Sequence, residues 1–252
     1  MMGRYILRHN MRFLPIVLIH LFWFSNLRGQ ASDSSLKISR LTGDFYVYTT
    51  FNLYRGARIP ANGLYLVTRD GVVMIDSPWD TTQFQPLLDS IKARHHADVV
   101  LCIATHFHED RTAGLEYYRR QSIKTYTSAK TDQLSKESGK KRAEFLFYKD
   151  TVFNVGQYSF QTYFPGQGHT SDNIVIWFAK EKILYGGCLV KTVNDTDLGY
   201  TADGNLKAYA STIRNLQQKC QSPKFVIPGH GEIEGPEALR HTLEMAMQNE
   251  KK

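Results

Sequence analysis

Polar and apolar residues alternate through Leu36, Ile38, Phe45 and Val47, a period of two that predicts leading strands. Residues 62–68 and 72–76 are β-rich runs joined by Arg69-Asp70-Gly71, whose Asp-Gly pair predicts a hairpin turn. Residues 49–62 follow no single period. They carry Phe51, Leu53, Tyr54 and Ile59 among Arg55, Gly56 and Arg58, which predicts a mobile hairpin or loop with apolar side chains exposed for ligand contact. A helix capped by Thr81 or Thr82 is expected through Phe84, Leu87, Leu88 and Ile91. Residues 98–104 form a nearly continuous apolar strand, and a helix with Leu115, Tyr117 and Tyr118 starts at Gly114. A short strand over 123–126 and a Lys/Ser-rich polar helix over 128–141 complete the first half.

Residues 145–164 return to strand, with a turn at Val155-Gly156-Gln157, and residues 173–179 and 182–185 predict a hairpin around Lys180-Glu181. Ala208, Tyr209, Ile213 and Leu216 place a helix over 206–219, residues 224–227 a last strand, and 236–248 a closing helix. The order strands, helix, strand, helix therefore occurs twice, as a two-halved α/β sandwich requires.

The first thirty residues stand apart from this pattern. Arg4, Arg8 and Arg12 lead into an apolar run from Phe13 to Phe24, followed by a short polar stretch with small residues near Gly29 and Ala31. That is the pattern of a cleaved export signal over residues 1–30, leaving one domain over 31–252. The run is short against the roughly 20 apolar residues of a spanning helix, so no membrane attachment is expected after cleavage. Net charge is +7, but it falls to +3 without the four arginines of this leader, too little to imply nucleic acid. Three cysteines do not make a disulfide framework in an exported chain. Cys102 reads as a small buried hydrophobe, Cys220 as incidental, and Cys188 as a residue needing a reason to stay unpaired.

That reason lies at the strand ends. The segment T-H-F-H-E-D-R-T-A-G, residues 105–114, holds His106, His108 and Asp110 at a turn after a strand, where three donors can aim at one point. His169 in G-Q-G-H-T, Cys188 in Y-G-G-C and His230 in P-G-H-G each follow a strand and sit beside glycine. Strand ends on one sheet edge lie close in space, so these six donors suffice for two open zinc sites of three ligands each. Asp76, Arg111 and Ser171 read as supports behind them. Arg111 either hydrogen-bonds the ligands or forms a surface salt bridge, while His95, His96 and His241 lack ligand spacing.

Through D-S-P-W-D, T-H-F-H-E-D-R-T-A-G, G-Q-G-H-T-S-D-N, Y-G-G-C-L-V-K and I-P-G-H-G, the chain after its leader resembles the metallo-β-lactamases, class B enzymes of their first subclass. The resemblance implies one zinc on His106, His108 and His169 and a second on Asp110, Cys188 and His230. It implies a four-layer αβ/βα sandwich and hydrolysis of the β-lactam amide of penicillins, cephalosporins and possibly carbapenems, hence antibiotic resistance. Asp110 would orient the attacking water, and no covalent acyl-enzyme would form. Lys191, three residues after Cys188, matches the family lysine that binds the substrate carboxylate. Tyr200 stands where an asparagine is frequent; its hydroxyl could donate to the substrate instead.

Thioester and lactone hydrolases of the superfamily resemble H-x-H-x-D-H with a bridging aspartate, where this chain has Arg111 and Cys188. The alternatives are such a hydrolase, or a phosphoesterase, and a non-catalytic zinc-binding exported protein. The expected setting is the periplasm, with a monomer acting on a small-molecule β-lactam and two zinc ions per chain.

Overall fold

The computed structural model describes residues 36–250, so the proposed leader and the mature start near residue 31 lie outside the described residues. The alternating stretches pair as antiparallel strands β1 (Leu36–Thr42), β2 (Phe45–Tyr54), β3 (Ala57–Thr68) and β4 (Gly71–Ile75). Residues 49–62 are thus an ordered ladder, paired out to Tyr54 opposite Ala57. The two-residue turn needs φ > 0 twice, supplied by Arg55 at 51° and Gly56 at 80°.

After β4 comes a 3₁₀ turn, Thr81–Gln83, capped by Asp80 and not by the threonines expected: Thr82 N donates to Asp80 Oδ1 at 2.8 Å. A carboxylate one residue earlier reaches the same free N–H groups. Helix α1 (Phe84–His95) follows, then β5 (Val99–Ile103), the single turn α2 (Glu109–Thr112), α3 (Leu115–Arg120), β6 (Lys124–Ser128), α4 (Ala129–Glu137) and β7 (Phe145–Phe147). Helix α4 stops short of residue 141 because Gly139, at φ 64°, turns the chain away.

Strands β1 to β7 form one seven-stranded sheet in sequence order. The chain then crosses over to a five-stranded sheet of order β12-β11-β10-β9-β8, from β8 (Val152–Val155), β9 (Tyr158–Tyr163), β10 (Val175–Phe178), β11 (Ile183–Gly187) and β12 (Phe225–Pro228). Its helices are α5 (Leu206–Lys219) and α6 (Glu237–Asn249). Both sheets are mixed, with a meander first and a parallel strand after a helix.

Period two explains the layering. Val73 and Ile75 face Ile176, Phe178 and Tyr185 of the other sheet in a central core, while Val72 and Met74 face Leu87 and Ile91 of α1. On the far side, Val175 and Leu184 pack on Tyr209, Ile213 and Ala246 of α5 and α6. Helix, sheet, sheet and helix are the four layers expected, and each buried Val, Leu, Ile or Phe contributes roughly 1.5–3 kcal/mol. All three cysteines are free and buried. No helix among the described residues is long and apolar enough to cross a membrane.

Candidate metal centre

Parallel strands need long returns, so β5, β11 and β12 all run toward the same edge and release their loops there. After β5 come His106 and His108, with Asp110 on the turn α2; the β9–β10 connection carries His169. Cys188 follows β11 directly, and His230 lies two residues past β12. The chain thus brings all six donors to one edge, in two groups.

In the first, His106 Nε2 and His169 Nε2 each lie 3.2 Å from His108 Nδ1. In the second, Asp110 Oδ2 is 3.3 Å from His230 Nε2, and Cys188 Sγ is 3.3 Å from His230 Nε2 and 3.5 Å from Asp110 Oδ2. A tetrahedral zinc with bonds near 2.0–2.1 Å sets neighbouring ligand atoms about 3.3 Å apart, so both triads have the spacing of ligands around one ion. Each group gathers its ligand atoms within 4.8 Å of one another.

Charge fits a metal as well. Burial, with His108 next, holds His106 well below the usual imidazole range; burial and His106 do the same for His169. Both rings are neutral and present lone pairs. Burial would also lower His230, but Cys188 and the hydrogen bonds of Asp110 and Cys188 outweigh it and push the ring up to about 9. Burial would raise Asp110, yet the Arg111 guanidinium and His230 hold it well below the carboxylate range. A proton on His230, between a carboxylate and a sulfur, occupies the place that a metal cation would take.

The orienting bonds are specific. His230 Nδ1 lies 2.5 Å from Pro60 O, which fixes the proton there and turns Nε2 inward. His108 Nε2 lies 3.0 Å from Asp203 Oδ2, leaving Nδ1 for the first group.

Arg111 is the support that the sequence left undecided, and the surface salt bridge is ruled out: the side chain is fully buried. Its Nη2 meets Asp110 Oδ2 at 3.0 Å, Cys188 Sγ at 2.9 Å and Gly229 O at 2.9 Å. Its Nη1 donates to Asn62 O at 2.6 Å, Tyr185 OH at 3.2 Å and Asp76 Oδ2 at 3.4 Å. A lone buried ion costs several kcal/mol, and this one is compensated only because three potential anions surround it. Gly229 has to be glycine: a Cβ there would come within 2.6 Å of Cys188 Sγ and 2.7 Å of Arg111 Nη2.

Asp76, in the left-handed region at φ 65°, takes bonds from Thr105 N at 2.7 Å and Tyr185 OH at 2.6 Å. Burial pushes its pKa up to about 6, against the Arg111 charge and these bonds, so it is ionised at neutral pH. Ser171, expected beside it, is half-buried and makes no side-chain hydrogen bond among the described residues. His95 packs on Tyr46 and Tyr65, His96 ends α1, and His241 bonds Asp195 O; none reaches the ligand atoms.

Sequence reasoning missed Asn62, Tyr185 and Asp203. Asn62 donates through Nδ2 to Pro228 O and Gly231 O at 3.1 and 2.8 Å, tying β3 to the loop that holds His230. An asparagine inside a β-rich run was the available signal, because such a residue needs partners when buried.

The triads open into a groove of about 680 Å³. Lys191, Tyr200 and Asp203 line it together with Tyr54, Ile59 and Trp79. Lys191 is buried, 8% exposed, and burial lowers its pKa while Cys188 and Asp195 pull it back. Its ammonium makes no hydrogen bond or ion pair among the described residues. Tyr200 is half-exposed, its ring edge-on to His108 with centroids 5.5 Å apart.

Residues 58–230 match the family model described as the metallo-beta-lactamase superfamily. A metallo-beta-lactamase type 2 of Elizabethkingia meningoseptica is 40% identical over 227 residues, covering 90% of this chain and 91% of that protein. The solved metallo-beta-lactamase from Pontibacter korlensis superposes with a TM-score of 0.82 at 36% identity, over 84% of this chain and 99% of that one. The metallo-beta-lactamase FIM-1 from Pseudomonas aeruginosa, solved in a mono-zinc form, gives 0.82 at 26% identity over 87% and 98%.

Proposed function

Because the chain belongs to the metallo-beta-lactamase superfamily, we propose that it is a zinc-dependent hydrolase of the β-lactam amide, acting on penicillins, cephalosporins and possibly carbapenems and so conferring resistance. The observation that carries this reading is the pair of donor triads at ligand spacing beside a buried lysine that has no partner among the described residues. His106, His108 and His169 would hold one zinc, and Asp110, Cys188 and His230 a second. Bound there, the two ions would supply Lewis acidity for the lactam carbonyl and a water acidic enough to react near neutral pH.

The remaining work falls to side chains. Lys191 pairs with the ring carboxylate of the β-lactam, and desolvation makes that ion pair stronger than it would be in water. Asp110, kept ionised by Arg111, accepts a hydrogen bond from the attacking water and so orients its lone pair toward the carbonyl carbon. The Tyr200 hydroxyl stands at the groove to donate to the substrate. The water oxygen bonds to carbon, the C–N bond breaks, the ring nitrogen takes one of the water's protons and the other is released as the new carboxyl group ionises, with no covalent acyl-enzyme.

The apolar wall of Tyr54, Ile59 and Trp79 excludes water from the reacting face. Periplasmic export by the leader and a monomeric state complete the proposal. Nitrocefin turnover that a chelator abolishes and zinc restores is the expected result. Zinc binding without turnover would leave a non-catalytic zinc protein, and turnover of thioesters or lactones alone would leave a different hydrolase.

A further inference from the structure

The Asp-Ser-Pro-Trp-Asp segment, expected to supply Asp76 and to lead into a helix, continues into a 3₁₀ turn that grips the wall of the groove. Gln83, at the end of that turn, is 1% exposed. Its Oε1 accepts from Phe51 N at 3.1 Å, and its Nε2 donates to Phe51 O at 2.8 Å. A primary amide here does what a neighbouring strand would do, satisfying both backbone groups of one residue at once. The place for such a stand-in is evident from the pairing: Thr50 is the last partner of β1 among the described residues, and Phe51 is the next residue along that edge.

Across the hairpin, Pro60 stands opposite Phe51. In an antiparallel pair, alternate residues point their N–H and C=O away from the partner strand, so a proline at this non-bonded position forfeits no ladder bond. The carbonyl of Pro60 faces outward to His230 Nδ1. The hairpin is therefore held on both flanks at one level, β2 by Gln83 and β3 by His230. Beyond it, from Asn52 to Ile59, the two strands pair with each other. That outer segment carries Tyr54 and Ile59 of the groove wall, and Leu53, 73% exposed. Trp79, four residues before Gln83, meets the Tyr54 ring at 5.8 Å.

We propose that Gln83 is a positioning residue for the substrate groove: its amide clamps Phe51, sets the level at which the hairpin can bend, and thereby places Tyr54 and Ile59 over a bound β-lactam. This rests on the reading of the groove as the substrate site. Glutamine suits the task because methionine or leucine offers neither bond and glutamate only accepts.

The test uses zinc-loaded full-length protein and Gln83→Met, equal in length and without the amide. Amide hydrogen exchange should quicken at residues 51–58 and stay unchanged in β4 and β5. The Michaelis constants for nitrocefin and benzylpenicillin should rise about tenfold with kcat within about twofold, as for loss of binding shared by ground and transition states. Zinc content should match the parent. Unchanged exchange at 51–58, or exchange quickened equally through the core, overturns the clamp. A faster hairpin with unchanged Michaelis constants overturns its part in binding. Should Gln83→Met not fold, Gln83→Leu removes the same two bonds with a smaller apolar side chain, and the same shifts are expected. A parent protein without nitrocefin turnover would refute the β-lactamase reading instead, and hydrogen exchange would still decide the clamp.

Discussion

His106, His108 and His169 form a triad of neutral imidazoles, whereas Asp110, Cys188 and His230 gather a carboxylate and a sulfur around one guanidinium. The first needs no countercharge. Its cost without metal is lone-pair repulsion, and its geometry depends on orienting bonds such as Asp203 to His108, at a partly exposed carboxylate. The second concentrates negative charge out of water and is held by Arg111, itself tied to Asn62, Tyr185 and Asp76. Neutral donors can be carried on loops, while anionic donors require a buried cation and a rigid network to hold it.

That contrast breaks most severely at Arg111. Arg111→Met should destabilise the metal-free chain by about 3–5 kcal/mol, because two carboxylates and a sulfur lose their buried partner. Urea denaturation under chelation checks this, and a loss near zero would mean that the network does not bear the second triad. Cys188→Ser comes next: the second zinc should be lost on dialysis while the first is retained, since a poorly acidic hydroxyl replaces a soft thiolate. Two tightly held zincs in the variant would remove Cys188 from the ligand set.

Asp203→Ala sharpens the other half. It should weaken the three-histidine site by about 10–100-fold and leave the second site alone. Competition with a chromophoric chelator reads the first effect, and the thiolate-to-metal absorption of a cobalt-substituted sample reads the second. Equal weakening at both sites would end the claim that the triads are supported separately. The smallest effect is expected at Lys191, outside both triads. Lys191→Ala should raise the Michaelis constant for penicillins about tenfold, in line with one charge-assisted hydrogen bond, with turnover and zinc content little changed. Steady-state kinetics on penicillins and cephalosporins decide it.

Much of this was legible in the chain. Period-two alternation placed the meander β1 to β4, and the i, i+3, i+4 pattern of Phe84, Leu87, Leu88 and Ile91 placed α1. The six donors stood out because each sits beside glycine or in a tight turn after a strand. Local pattern leaves residues 49–62 open between hairpin and loop, and the structure makes them a hairpin: side chains on both faces of it show no single period, although the Arg55-Gly56 turn makes it regular. The crossover between β7 and β8 was equally invisible, since both are short apolar strands and nothing local tells which sheet each joins.

By itself, then, the sequence determined the elements, the donor types and the edge at which they collect, because hydrophobic period and ligand chemistry are properties of neighbouring residues. Only the tertiary structure decided that Arg111 is buried among two carboxylates and a sulfur, that Asp203 turns His108, and that Gln83 completes the edge of Phe51. Apart from Asp110, the immediate neighbour of Arg111, those partners lie between 32 and 95 residues apart along the chain. A charge or an amide has no periodicity to betray its partner; its energy depends on which groups the packed sheets place within about 3 Å of it and on the exclusion of water from between them.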